Sequence, residues 1–302
     1  MGASTAQNAD GARAEVTEIS LAHSPDSDDA FMFYALATRK IPTDNFRFTH
    51  TLEDIQTLNE KACEGVYDLT AISFHAYAYV AGQYMLLPSG ASFGDGYGPI
   101  VVAKGSLGGS LRGRRIAVPG RMTTAYLALM LYESEIETFV LPFDRILEAV
   151  SSGEADAGVI IHEGQLTYGL EGLSKAVDLG EWWRQETGLP LPLGGNVIRR
   201  SLGREVIRRI SRLLRASIRY GLEHREEALS YALQFARGID NFTADKFVSM
   251  YVNEWTVDYG ERGRKAVQAL LDRGFERGLL PCSVEAEFAD DGEPAAVNPI
   301  SP

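Results

Sequence analysis

Cysteine is scarce: the 302-residue chain holds two, Cys63 and Cys282. They do not form a pair at metal-ligand spacing, which argues against a structural zinc site. In a chain of this length the two thiols are expected to be reduced. Long apolar runs are also missing, and nothing approaches the roughly 18 residues needed to span a membrane. Ile100-Val101-Val102-Ala103 and Val159-Ile160-Ile161 are short enough to be buried strands. Basic charge is in deficit, with 29 Lys and Arg against 41 Asp and Glu, a net charge of −12. That balance argues against nucleic acid as a partner. Residues 1–15 contain no apolar core of the kind a secretory signal needs. They read as a disordered tail, and a cytoplasmic location is expected.

What remains is globular. Hydrophobic residues make up 45% and charged residues 23%, and the length suits two domains better than one. The pattern alternates strands and helices through the first half. Strands are expected at 18–22, 46–52, 67–73, 115–118, 137–141 and 157–161. Helices are expected at 30–38, 53–64, 123–132 and 143–151. The last third reads as helical over 204–220, 225–236, 244–251 and 261–277. Arg208, Arg212, Arg215 and Arg219 share one helix face, which is expected to be solvated. Residues 283–302 are acidic and bear proline, so a loose tail is expected there.

One internal echo organises the rest. Gly65-Val66-Tyr67-Asp68 precedes the apolar run Leu69 to Phe74, and Gly153-Glu154-Ala155-Asp156 precedes Ala157 to His162. Two copies of a helix, Gly-x-x-Asp and strand unit suggest two α/β lobes of like topology. Ligand sites in such sheets lie beyond the C-terminal strand ends. His162 at the tip of the second copy is therefore expected to project into the cleft between the lobes. An imidazole there is suited to moving a proton near neutral pH, although a hydrogen-bonded structural histidine would look the same.

Other motifs weigh less. Thr123-Thr124 stands where a helix opens after a Gly turn, a place for either an anion or an ordinary N-cap. Gly90-Ala91-Ser92-Phe93-Gly94 has the spacing of a nucleophile elbow but is followed by glycines and a proline instead of a helix. It is read as the first crossover between lobes. Asp26, Asp28 and Asp29 are expected to cap a helix, with no metal. Phe74, Tyr77, Tyr79, Tyr97, Trp182 and Trp183 read as core and cleft wall.

Several segments together resemble a known family. They are Phe31-x-Phe33-Tyr34, Ile72-Ser73-Phe74-x-Ala76-Tyr77, Gly120-Arg121-x-Thr123-Thr124-Ala125, Ile160-Ile161-His162-Glu163-Gly164 and Asp178-Leu179-Gly180-Glu181-Trp182-Trp183. Thr187 to Gly194 and Tyr251-Val252-Asn253-Glu254 belong to the same set. In this order they are similar to the 1,4-dihydroxy-6-naphthoate synthases of the futalosine route to menaquinone. The resemblance implies a two-lobed, type 2 periplasmic-binding-protein-like fold, each lobe a mixed sheet flanked by helices. The lobes are expected at 16–97 with 197–282, and at 98–196. It implies His162 as proton acceptor in a carbon–carbon lyase, with Ala71, Ile72, Ser73, Thr123 and Thr124 holding a small carboxylate substrate. Ser24, Asp29 and Phe74 are candidate cleft-lining residues. No cofactor or metal is implied, and the oligomeric state is left open. The sister activity, dehydration of chorismate, and plain solute binding are the rival readings. One loop departs from the family: its usual Ser-Pro-Cys-Pro-Asn-Asp-Thr-Phe is replaced by Ser24-Pro25-Asp26-Ser27-Asp28-Asp29-Ala30-Phe31.

Overall fold

A computed structural model describes residues 16–108, 110–235 and 240–292. The tail expected at 1–15 lies outside these residues. The chain begins with β1 (Thr17–His23), α1 (Ser27–Ala37), β2 (Phe46–Leu52), α2 (Ile55–Cys63), β3 (Leu69–Ser73), α3 (Phe74–Val80), β4 (Tyr84–Leu86) and β5 (Ser92–Gly94). It then crosses to β6 (Ile100–Ala103), β7 (Arg115–Val118), α4 (Thr124–Tyr132), β8 (Glu137–Val140), α5 (Ile146–Ser152), β9 (Ala157–Ile160), α6 (Gly164–Thr167), β10 (Ser174–Asp178) and α7 (Leu179–Thr187). It returns through β11 (Leu191–Arg199) to α8 (Arg204–Glu223), α9 (Arg225–Ala232), α10 (Asn241–Tyr251), α11 (Glu254–Val257) and α12 (Gly260–Glu276).

The strands form two sheets with one wiring. The first runs β2-β1-β3-β11-β4, with β5 also on β11, and the second, read from its far edge, runs β8-β7-β9-β6-β10. In each sheet three parallel strands are followed by one antiparallel strand, β11 against β3 and β6 against β9. The central strands β3 and β9 are buried along their whole length, which is why their sequences are apolar runs without alternation.

The Gly-x-x-Asp echo has a mechanical explanation. Gly65 and Gly153 end α2 and α5 with φ of +67° and +85°, a region that favours glycine. Three residues on, each Asp ties its strand to the neighbouring one. Asp68 Oδ2 accepts from the backbone N–H and hydroxyl of Ser20 on β1, at 3.0 and 2.7 Å. Asp156 Oδ2 accepts from the N–H of Arg115 on β7 at 2.9 Å.

Three sequence expectations shift. The chain is already in the first sheet at Leu191, ahead of the boundary expected between 196 and 197. Nothing in Leu191-Pro192-Leu193-Gly194-Gly195 reads as a strand, but close packing requires its glycines: a Cβ on Gly195 would stand 2.3 Å from the Tyr259 hydroxyl and 3.0 Å from the Phe74 ring. The arginine face of α8 is not wholly solvated. Arg215 is buried and ion-paired with Asp258 and Asp291. The segment after Ser283 is fastened over its described part, 283–292. Phe288 bridges to Leu86, and Ala289 and Asp291 are buried.

Apolar packing is continuous between the lobes. One cluster joins Ile72, Phe74, Tyr77 and Val197 of the first lobe to Val101, Val118, Leu127 and Trp183 of the second. A second cluster lies under α1 and α8, around Phe31, Phe33, Ile210, Leu214 and Ile218.

Candidate active site

A cleft with a cavity of about 110 Å³ opens between the strand ends of the two sheets. The first lobe contributes the loop before α1, the end of β3, Ser92, Gly194, Gly195 and two side chains of α10, Phe247 and Tyr251. The second lobe contributes Pro99, the start of α4 and Ile161. Ala71, Ile72, Ser73, Thr123 and Thr124 all stand on this wall, and so do Ser24 and Asp29. Phe74 does not. It is fully buried behind the wall, with its ring against Phe93 and Tyr259. Sequence reasoning missed Ser92, Phe247 and Tyr251 as wall residues. The last two lie four apart on α10, a spacing that reads as ordinary core.

One end of the cavity is built to donate hydrogen bonds. The hydroxyl of Ser73 is held by Asn59, whose Oδ1 accepts the Ser73 N–H at 2.8 Å and whose amide donates to Ser73 Oγ at 3.1 Å. That arrangement leaves the Ser73 hydroxyl proton available to a ligand. Across from it, Thr123 caps α4: its Oγ1 accepts from Tyr126 N–H at 3.1 Å and donates to the Gly120 carbonyl at 2.8 Å. With its side chain occupied, Thr123 serves the site by fixing the helix start. The N–H groups of Thr124 and Ala125 open the helix and have no intrahelical acceptor. They add the positive end of the helix dipole.

The other end is acidic. Asp26, Asp28 and Asp29 line it, and no Lys, Arg or His among the described residues lines the cavity. Asp26 takes the N-cap position of α1 but makes no side-chain capping bond. Its Oδ2 accepts instead from the Ser24 hydroxyl at 3.0 Å. Asp29 Oδ2 accepts from the Ser24 N–H at 2.9 Å, and burial raises its pKa to about 6. Burial, with the neighbouring carboxyls of Asp29, Asp26 and Glu163, pushes Asp28 well above the usual carboxylate range. Capping alone therefore does not account for these acids. No group of His, Cys, Asp and Glu among the described residues has the arrangement of a metal site. Behind the loop, His23 stacks on Phe33 at 4.4 Å, and its Nδ1 bonds the Ser24 carbonyl at 2.8 Å. Burial lowers its pKa to about 3, so the ring is neutral and braces the loop.

His162 lies just past Ile161, at the edge of the cavity and not on its lining. Its Nδ1 accepts from the Gly164 N–H at 3.0 Å, and its Nε2 faces the Phe143 carbonyl at 3.3 Å. Those partners select the neutral Nε2–H tautomer. The ring folds back over Gly164 so closely that a Cβ there would stand 2.7 Å from His162 Cε1.

Residues 19–276 match the family described as menaquinone biosynthesis. The chain belongs to that family. The 1,4-dihydroxy-6-naphthoate synthase of Thermus thermophilus is 44% identical over 89% of this chain and 98% of its own length. The Streptomyces coelicolor protein of the same name is 38% identical over 87% and 95%. A crystal structure of a protein from Archaeoglobus fulgidus superposes with a TM-score of 0.84 at 48% identity, over 87% of this chain and 98% of that one. The alkanesulfonate-binding protein SsuA of Xanthomonas axonopodis, at 15% identity, superposes with a TM-score of 0.66 over 90% and 97%. That likeness shows the fold alone: this member of the menaquinone-biosynthesis family is built like a periplasmic binding protein. No helix among the described residues is long and apolar enough to cross a membrane.

Proposed function

We propose that this enzyme cleaves cyclic de-hypoxanthine futalosine to 1,4-dihydroxy-6-naphthoate, releasing a three-carbon sugar fragment in the cytoplasm. The observation that carries this reading is a cavity with a cation-free, anion-accepting end, one residue away from a neutral imidazole. The substrate carboxylate sits between the Ser73 hydroxyl and the first N–H groups of α4. The acidic end accepts hydrogen bonds from substrate hydroxyls.

His162 takes the proton of a substrate hydroxyl on Nδ1, exchanging its short-range bond to Gly164 for the substrate. As that hydroxyl becomes a carbonyl, the adjacent C–C bond breaks and its electrons pass into the ring system. The bicycle becomes aromatic and the three-carbon fragment leaves. The step balances as a retro-aldol with acid–base chemistry alone.

Incubating the protein with this substrate and following products by mass spectrometry tests the reading. Dihydroxynaphthoate is expected. Dehydration of chorismate in a parallel incubation, or tight binding of an unaltered ligand with no product, would replace it with one of the rival activities.

A further inference from the structure

The turn that carries His162 is held from the opposite lobe on both sides. Glu163 Oε1 accepts from the Ser27 hydroxyl at 2.8 Å. Gln165 Oε1 accepts from the Tyr251 hydroxyl at 2.7 Å. Ser27 opens α1 and Tyr251 closes α10, both in the first lobe, whereas Glu163 and Gln165 belong to the second. All four are almost wholly buried, at 0%, 5%, 8% and 2% exposure for Ser27, Glu163, Gln165 and Tyr251.

Within the second lobe the turn is held by the bonds of His162 to the Gly164 N–H and the Phe143 carbonyl, and by the N–H groups of Gln165 and Leu166 on the carbonyls of His162 and Glu163, both at 2.9 Å. α6 is four residues long, and the Gln165 amide reaches the Ile160 carbonyl at 3.3 Å. A carboxyl and an amide buried in this way are costly without partners. When the lobes part, the Ser27 and Tyr251 hydroxyls leave with the first lobe, and water must replace them at the Glu163 carboxyl and the Gln165 amide.

We propose that Glu163 and Gln165 are positioning residues whose bonds to Ser27 and Tyr251 order the His162 turn only when the lobes close. Closure of the cleft and placement of the imidazole are then one event, and an open, wet cleft has no correctly placed base. The kinetic half of this statement rests on His162 being the proton acceptor; the structural half does not.

Two measurements test it. In hydrogen–deuterium exchange, Ser27→Ala in the first lobe should speed exchange of the 160–168 segment in the second by about tenfold, leaving β7 and β9 unchanged. In steady-state kinetics, Ser27→Ala and Glu163→Ala should each lower kcat about tenfold, as expected for loss of one buried hydrogen bond, with KM moving much less. The double variant should be no worse than Glu163→Ala, because both remove the same bond. Glu163→Gln keeps an oxygen that accepts from Ser27 and should recover most of kcat. Should Glu163→Ala not fold, Ser27→Ala tests the same bond by removing one hydroxyl. Unchanged exchange in Ser27→Ala, a double variant that loses the product of the single losses, or Glu163→Gln as poor as Glu163→Ala would each overturn the proposal. A wild-type protein that turns over no futalosine-derived substrate sinks the assigned reaction and leaves the exchange result to decide the latch.

Discussion

β3 and β9 occupy the same slot in their sheets, and the same Gly-x-x-Asp turn leads into each. They differ at their C-terminal ends. After β3 the chain enters α3 at once, Ser73 is gripped by Asn59, and Phe74 disappears into the core. After β9 the chain makes a turn, with Ile161 on the cavity wall, His162 at its edge and Glu163 and Gln165 reaching to the other lobe. The first strand end is fixed in place and, in the proposed reaction, holds the substrate carboxylate. The second is a short turn tied to the other lobe, and in the proposed reaction it carries the proton acceptor. A duplicated frame leaves room for this division, because the frame depends on how each strand begins and the chemistry on how it ends.

The sharpest test of that division is His162→Ala. Loss of a general base should lower kcat by about 10²–10⁴, while calorimetry should show substrate affinity little changed. A small effect would make the C-terminal ends of β3 and β9 equivalent. Gly164→Ala comes next. The new Cβ meets the tip of the His162 ring most closely, so melting temperature should hold while kcat falls about tenfold or more from misplacement of the imidazole. At the N-terminal ends of the strands, Asp68→Ala removes two bonds to Ser20 and should cost about 2 kcal/mol in denaturant unfolding. Asp156→Ala removes one bond at an exposed site and should cost less than half as much; equal costs would show that the Gly-x-x-Asp turns before β3 and β9 carry the same load.

The smallest effect concerns the acidic loop. An acid whose folded pKa lies above its unfolded value binds its proton more tightly when folded. Its contribution therefore favours the folded state at low pH and turns against it as pH rises past about 4. Asp28→Asn should match the wild type near pH 4 and melt a few degrees higher, about 2–5 °C, at pH 7. A gap that does not change with pH would remove ionisation of Asp28 as its cause.

Much of this arrangement is legible in the sequence because its causes are local. Gly65 and Gly153 are demanded by left-handed backbone, β3 and β9 are apolar because both faces are covered, and Thr123 caps α4 through the N–H three residues on. Non-local causes stay hidden. β11 becomes a strand through pairing with β3, β4 and β5, despite a proline and two glycines. Arg215 looks like its solvated neighbours on α8 until Asp291, far along the chain, is folded onto it. Phe247 and Tyr251 give a helical stripe that does not distinguish core from cavity wall. His162 shows an intermediate case: its strand tip is readable, but the backbone contacts that fold its ring over Gly164 are not.

The pairing of Gly94 with Leu191 makes the second lobe, in topological terms, a passenger seated in a β-hairpin. The chain leaves the first lobe at the end of β5 and returns beside it on β11, so both connections run through one narrow neck. β11 and β6 each lie between other strands of their sheets, whereas β5 pairs with β11. Residues 95–99 and 188–190 are thus the two places where the backbone can turn, and any opening of the cleft must also part the apolar cluster that the lobes share.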